Sequence, residues 1–554
     1  MVHGNGIVSQ GSEEIHTGYT LLASECKISE TRWLSCDNGD DESRVLAPSP
    51  PERCCCLPRN AWRRLCSSTA VFAVVLYALA RWFRWGQGTG LPLGYCKAKA
   101  APFPIAPDVT DVEGLRRWAL KLVSNMTAEE KHGMVNGLGW FDYSSLSGYY
   151  VGNILAIPRL GLPAIQMQDA MQGFRTLDER QVGQVTAWPS ALAIASTWDA
   201  NSTWQWARAI GEEFRIKGAN VILGPSVNVH RIAYNGRNVE YLSGEDPLLG
   251  QHLAPAYVRG AQEGAGVGAV LKHFVLNSQE TGRTTVDSVV DERTRWELYY
   301  PPFEAAVNAG VAAVMCSYNY VNGKQACDNA GILTQDLKGR MRFEGWVMSD
   351  WYALQSGHSA KAGTDMDMPG TDGYFSEGAV AGLPQERLDD MAARVLVGMA
   401  RIPAFRKADP ATSCRAGCNC SGLLYDTMAA SAAHGDLTRS LAAAGAVLLK
   451  NDRPPTNTSA SGAGSGPSER LLPLQPGQIV AVVGSACDAR PVQLDWTTSW
   501  TDADYYSIGG SGRVVSNRTV SVLEGLIQAG VTLRLSTTDS MQDAKNVMQG
   551  ADVV

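Results

Sequence analysis

Histidine is scarce in this 554-residue chain: there are eight, with no H-E-x-x-H or H-x-H pair among them. That leaves few ways to build a catalytic metal centre on imidazole. Charged residues make up only 19% of the chain, and acids outnumber Lys plus Arg by 55 to 48, for a net charge of −7. This balance lacks the basic surface a phosphate backbone requires, so nucleic acid is not an expected partner. No G-x-G-x-x-G opens the first strand-to-helix turn, which removes the usual mark of dinucleotide binding. Of thirteen cysteines, Cys414, Cys418 and Cys420 sit close together, but no second pair or histidine follows at zinc-ligand spacing. No metal and no cofactor are expected.

What is present is an ordinary globular composition, 45% apolar, on a chain long enough for two or more domains. Fifteen Trp and eighteen Tyr supply faces that stack on flat apolar ligand surfaces or simply fill a core. One segment, Leu65 to Phe83, has an unbroken apolar centre from Ala70 to Ala80 flanked by Arg and Trp. Its nineteen residues cross a bilayer if the flanking Arg side chains snorkel. A cleaved signal peptide is the competing reading, but it would start more than sixty residues into the chain. Flanking positive charge is close to balanced and does not orient the segment. The N-x-S/T sequons do: Asn125, Asn201, Asn419, Asn457 and Asn517 all follow it. The expectation is a single-pass type II anchor in the cell membrane, with the C-terminal region extracellular or luminal and glycosylated at those five sites. Cys54, Cys55 and Cys56 before the span are open to palmitoylation or remain free cytosolic thiols. Cys316 and Cys327, close in sequence on the oxidising side, are expected to form a disulfide.

The organisation expected is a disordered cytoplasmic tail over 1–64, the anchor over 65–84 and a stalk over 85–107. An α/β region follows over 108–405, then a Pro/Ser/Gly/Cys-containing linker over 406–437, then a second α/β region over 438–554. Within 108–405 the apolar runs end in polar residues: "PAIQMQD" at Asp169, "ANVILGPSVN" at Asn228, "GAVLKHF" around Lys272 and His273, "VAAVMCSYN" at Asn319 and "GWVMSD" at Asp350. Helical stretches such as "DERTRWELYYPPFEAAVNAG" lie between them. Runs apolar on both faces belong to a parallel sheet covered by helices, and repeated strand-helix units predict a (β/α)₈ barrel with its polar strand ends on one face. A doubly wound open sheet is the alternative. In the last region, "RSLAAAGAVLLKN" predicts a helix running into a strand and "IVAVVG" a second strand. "GADVV" resembles the opening of another strand, so the chain is expected to stop within a domain.

Asp350, followed by Trp351, stands at the end of a buried strand and either caps the next helix or faces a ligand. Asp169, Arg237, Lys272, His273 and Tyr318 occupy comparable strand-end positions, and such donors and acceptors suit sugar hydroxyls. Glu240, Glu280 and Arg283 taken singly read as surface salt bridges or helix caps. Lys272 at a strand terminus is costly to bury unless acids lie nearby.

At these residues the chain resembles glycoside hydrolase family 3, in particular its β-glucosidases, including fungal-type ones. "LKHFVLNSQETGR", "VDERTRWELYYPPFEAAVNAG", "VMCSYNYVNG" and "FEGWVMSDWYALQSGHSAKAGTDMDMPG" carry the likeness, in order. The resemblance implies a TIM-like barrel followed by an α/β sandwich domain, here incomplete, and hydrolysis with retention of configuration through a covalent glycosyl-enzyme. It places Asp350 as nucleophile. Asp169, Arg237, Lys272, His273 and Tyr318 match positions that bind the terminal sugar, and Trp351 an aromatic residue packed beside it. Ala170 and Val239 depart from the family's usual Gly and aromatic residue. The "KHFPGHG" loop of N-acetylglucosamine-cleaving relatives is absent.

A retaining glycosidase needs one ionised carboxylate and a second carboxyl about 5–5.5 Å away as acid/base. Lys272 and Arg237 are expected to keep Asp350 ionised. The family's acid/base is a Glu in the sandwich domain, after a strand resembling "ADVV", so it is expected beyond Val554 and is not assigned. The function expected is release of terminal β-D-glucose from β-glucosides or cello-oligosaccharides in cellulose or β-glucan degradation. The alternatives are a β-xylosidase, an exo-β-glucanase, or a sugar-binding fragment lacking its acid/base. Oligomeric state and aglycone preference are not legible.

Overall fold

Parallel strands cannot be joined by tight turns, so each needs a crossover, and the order of strands and helices in the chain sets the architecture. In the computed structural model, β1 (Gly152–Ile154), β2 (Ile165–Asp169), β3 (Val221–Leu223), β4 (Gly268–Phe274), β5 (Ala313–Cys316) and β6 (Trp346–Ser349) form one sheet in that order. The structure describes residues 95–97, 99–139, 149–406, 409, 414–416, 418–451, 470–491, 493, 499 and 501–554, all within one unit spanning 87–554. β1 pairs antiparallel with β2, and every other pairing in the sheet is parallel.

The sheet curls and meets itself. Met348 bridges Met366, Asp367 bridges Asn136, both in parallel, and the Leu138 N–H donates to the Asn153 carbonyl at 3.1 Å. Two short segments, 366–368 and 136–138, thus complete a ring with the six strands. The sequence reading expected parallel strands throughout. It missed the antiparallel β1 and the two closing segments, which are too short to show any periodicity. β3 is also shorter than "ANVILGPSVN" suggested, because Pro225 has no N–H to give the ladder; pairing resumes at Ser226, which bridges Lys272.

Every residue of β1 to β6 is buried. Helices α1 (Val112–Val123), α2 (Ala200–Ile216), α3 (Pro247–Arg259), α4 (Pro301–Asn308) and α5 (Gln385–Ala400) surround the sheet. Asp111, Asp199 and Asp246 cap the first three by accepting from N-terminal amides. The stretch expected as one helix from Asp291 breaks at Tyr300, since Pro301 starts α4 afresh. α5 lies so close to β6 that a Cβ on Gly398 would come within 2.2 Å of the Trp346 ring.

Among the described residues no helix is long and apolar enough to cross a membrane. The anchor expected over 65–84, the tail before it, Cys54, Cys55, Cys56 and Asn457 lie outside the described residues. Disulfides join Cys96 to Cys418, Cys316 to Cys327 and Cys414 to Cys420, with Cα separations of 5.7, 5.2 and 5.6 Å.

Helix α6 (Ala432–Ala444) is pinned to α2 by His434, whose Nδ1 meets the buried Glu213 carboxylate at 2.8 Å. The strand expected after it is not seen: among the described residues 446–451 pair with no strand, and Leu449 is 91% exposed. Beyond, β7 (Ile479–Val483) and β8 (Thr532–Ser536) pair in parallel, and Val553 bridges Val480. Residues 508–515 return to the barrel, where the Thr176 N–H donates to Arg513 O at 2.9 Å and the Ile508 N–H to Gln172 Oε1 at 2.9 Å.

Candidate active site

Asp350 follows β6 at the C-terminal end of the sheet, where a strand end must hand its last carboxylate to solvent, a cap or a ligand. It caps no helix. Its Oδ1 accepts from the Tyr318 hydroxyl at 2.9 Å and from the Trp351 N–H at 2.8 Å. Its Oδ2 is buried and has no hydrogen-bond partner. One oxygen is therefore fixed and the other left bare, with the side chain only 11% exposed. Tyr318 also reaches the Trp351 carbonyl at 2.9 Å, and the Trp351 indole N–H donates to Val151 O at 3.1 Å. Both residues brace the carboxylate from the ends of neighbouring strands.

A charge network faces the bare oxygen. The Arg237 guanidinium contacts Glu240 through Nε, His273 Nε2 at 3.3 Å through Nη2, and Glu280 at 3.7 Å through Nη1. Lys272 Nζ lies 4.0 Å from Glu240 Oε2, and the two side chains are 2% and 1% exposed. Arg283 pairs with Glu280 at 2.9 Å and covers the Tyr318 ring at 4.0 Å. Arg237, Lys272 and Arg283 thus face Glu240, Glu280 and Asp350, three cations to three carboxylates.

Neutral groups complete it. His273 Nδ1 meets the Tyr241 hydroxyl at 3.1 Å, and its backbone N–H and carbonyl are held by Asn228 at 2.8 and 3.0 Å. Burial first, then Arg237, Lys272 and Arg283, push the imidazole pKa well below its ordinary range, so it stays neutral. Since a guanidinium can only donate, Nε2 accepts from Arg237, which assigns the proton to Nδ1. The 3.5 Å approach of Nε2 to Asp350 Oδ2 is then a meeting of two acceptors, and not an ion pair. The lone pair of Nε2 is already taken by Arg237, so a hydroxyl arriving here has its one proton to give to the bare Oδ2.

Burial raises the Asp350 pKa, and Arg237, Arg283 and Lys272 pull it back only in part. Arg237 and Lys272 thus lower it as expected, but desolvation, which the sequence does not show, outweighs them. Tyr318 is held well above its ordinary value, by burial first and then by the Asp350 charge, and stays a donor.

The sequence-predicted residues Arg237, Lys272, His273, Tyr318, Asp350 and Trp351 converge here. Asp169 ends β2, and its carboxylate is ion-paired with Arg175 at 3.0 Å instead of joining the Arg237–Glu240 group. Glu240 is no surface residue: it is 2% exposed, between two cations. Its signal was the placement of Lys272, which needed a buried acid. Tyr241 and Asn228 were missed as positioning residues, though Asn228 stood at a noted strand end. Arg237 Nη1 and Glu280 Oε2, like Asp350 Oδ2, are buried atoms without a hydrogen-bond partner. Such a concentration of unmet donors and acceptors suits a ligand rich in hydroxyls. Among the described residues no cluster of three or more His, Cys, Asp or Glu is placed to hold a metal ion.

Comparison with known proteins agrees with this geometry. Residues 146–397 match the family model described as "Glycosyl hydrolase family 3 N terminal domain". A beta-glucosidase of Rhizobium radiobacter is 37% identical over 412 residues, 72% of this chain and 44% of that protein. The crystal structure of a beta-D-glucoside glucohydrolase from Trichoderma reesei superposes with a TM-score of 0.67 at 30% identity, covering 81% of this chain and 61% of that one. Beta-glucosidase 3B from Thermotoga neapolitana, solved with glucose, gives 0.60 at 30% identity, covering 78% and 56%. The chain spans about half the length of the curated relatives it matches, 44% of the first and 41% of the second.

Proposed function

We propose, for a chain that belongs to glycoside hydrolase family 3 through residues 146–397, that it hydrolyses terminal β-D-glucosyl residues with retention, using Asp350 as nucleophile. The observation that carries the reading is the two-sided Asp350 carboxylate, tethered on Oδ1 and bare on Oδ2. Oδ2 attacks the anomeric carbon as the bond to the departing oxygen breaks. That oxygen takes a proton from a general acid, and water later cleaves the glycosyl ester. The tether matters because a carboxylate held on one oxygen presents the other in a fixed direction.

Arg237, Lys272 and His273 face the same space and suit the sugar hydroxyls, with Trp351 beside the nucleophile, and Asp169 is kept as a sugar-binding residue on the family resemblance alone. Glu240 and Glu280 are both committed to cations, so neither is assigned as acid/base. The region 108–405 is read as a (β/α)₈-like catalytic barrel and 438–554 as part of an α/β sandwich. The anchor over 65–84, with the rest extracellular or luminal, is retained as a proposal. It is supported by the one-sided sequons and by the three disulfides found among the described residues, which suit an oxidising compartment.

Hydrolysis of matched nitrophenyl glycosides tests the substrate class. The β-glucoside should exceed the β-xyloside in kcat/KM by at least about tenfold, the scale of one extra hydroxymethyl contact. Equal rates, or a faster xyloside, would replace the glucosidase reading with a xylosidase one.

A further inference from the structure

A second group of acids, which the glycosidase reading does not use, lies beside the ring-closing segment 366–368. Asp367 is the register partner of Asn136 and is fully buried. Neither of its carboxylate oxygens has a hydrogen-bond partner. Asp372 lies against it. Burial and then this neighbour push the Asp367 pKa up to about 8. Asp372 Oδ1 accepts from the Tyr374 N–H at 3.3 Å, but its Oδ2 is buried and unpartnered. The Asn136 amide nitrogen donates to the carbonyls of Gly137 and Gly370 at 3.1 and 3.0 Å, which fixes the amide's orientation. Its Oδ1 is then also buried without a partner.

Among the described residues no donor reaches hydrogen-bond geometry with these four oxygens. The Ser349 hydroxyl is the nearest candidate, but it gives its proton to Met368 O at 3.2 Å while accepting from the Met368 N–H at 2.8 Å. The Phe375 N–H and the Ser349 hydroxyl ease the burial of Asp367 somewhat, but neither completes a hydrogen bond to it. No Lys or Arg is among the groups acting on Asp367. Two carboxylates brought together out of water need either a shared proton or a cation.

We propose that Asp367, Asp372 and Asn136 form a binding site for a hard divalent cation of the calcium class. The donor set is oxygen only, which suits calcium and disfavours zinc. Two carboxylates match one divalent charge, the Asn136 carbonyl adds a neutral ligand, and water completes the coordination. The site lies next to the strand that carries the nucleophile: Met366 O accepts from Ser349 N at 2.9 Å and Met368 O from Tyr352 N at 3.0 Å, on either side of Asp350. An ion here fastens 366–372 to Asn136 and so stiffens the segment that carries Asp350.

The test uses the whole chain, stripped with EDTA, then titrated with Ca²⁺ while thermal unfolding is followed, and with Tb³⁺ while luminescence excited through nearby aromatic rings is read. The expected result is a saturable rise in Tm of a few degrees, Tb³⁺ emission displaced by Ca²⁺, and loss of both in Asp367→Asn/Asp372→Asn. Should the double variant fail to fold, Asp372→Asn alone, at the more exposed acid, should weaken Tb³⁺ binding at least tenfold. An unchanged Tm without Tb³⁺ emission, or an Asp372→Asn chain that binds Tb³⁺ as the unaltered chain does, would overturn the site and leave a shared proton in its place.

Discussion

The barrel and the C-terminal α/β region are written in the same local grammar, yet they bury very different amounts of it. In the barrel every residue of β1 to β6 is buried, and the helices turn apolar faces inward. In the C-terminal region α7 (Val522–Gln528) carries a complete capping box from Ser521 and Glu524, and α8 (Met541–Met548) is capped by Ser540, but neither helix buries a single residue. Ile527 is 58% exposed and Met541 74%. Caps and propensities therefore suffice to start an element, while burial depends on what packs over it. The charge network around Asp350 belongs to the first kind of environment, where a low dielectric makes each pairing matter.

The sharpest way to break this comparison is a matched pair of truncations. Phe214→Ala, at a fully buried ring stacked edge-on to Phe174 at 5.0 Å, should cost about 3–5 kcal/mol. Ile527→Ala should stay within about 0.5 kcal/mol. Equal losses in denaturant unfolding would mean that the exposed helix is covered in solution. A smaller effect is expected from opening the buried Cys316–Cys327 bridge, which closes a short loop beside Tyr318. Replacing both with Ser should cost about 2–3 kcal/mol, read as a fall in Tm, whereas an unchanged Tm would remove the bridge from the barrel's stability.

The smallest effect concerns the site itself. Burial raises the Asp350 pKa in the folded chain above its unfolded value, so the folded state holds that proton more tightly. The stability this gives is fully present below the unfolded value of about 3.9 and is lost as pH rises through the higher folded value. Asp350→Asn escapes the loss. Its Tm should match the unaltered chain in acid and exceed it increasingly toward neutral pH. A gap that shrinks as pH rises would show that the cations, and not desolvation, govern this carboxyl.

Much of the barrel was legible because its strands are apolar runs with polar ends: β2, β4, β5 and β6 fall where the sequence pattern placed them. The closing segments and β1 were not, since three residues carry no period, and the ladder that defines them is a tertiary contact. The run "GAVLLKN" reads as a strand, but a strand exists only with a partner, and none of the described residues supplies one. Within the site, residue identity told which side chains had chemistry to offer, and the Lys272 cost pointed to a buried acid. Which acid it was, Glu240 and not a surface pair, depended on how the turn after Gly236 folds Arg237 back over it. The neutral state of His273 was equally hidden, because it follows first from burial and then from three cations gathered from two different loops and a strand end.

The most direct test is to trap the covalent intermediate. A 2-deoxy-2-fluoro-glucosyl fluoride carries a leaving group that departs with little help from a general acid, so it reports on the nucleophile alone. Intact mass should rise by one fluoroglucosyl unit, peptide mapping should place it on Asp350, and Asp350→Ala should show no adduct. A label on Glu240 or Glu280, or labelling that survives Asp350→Ala in a folded protein, would contradict the assignment of the bare Oδ2 as the attacking atom.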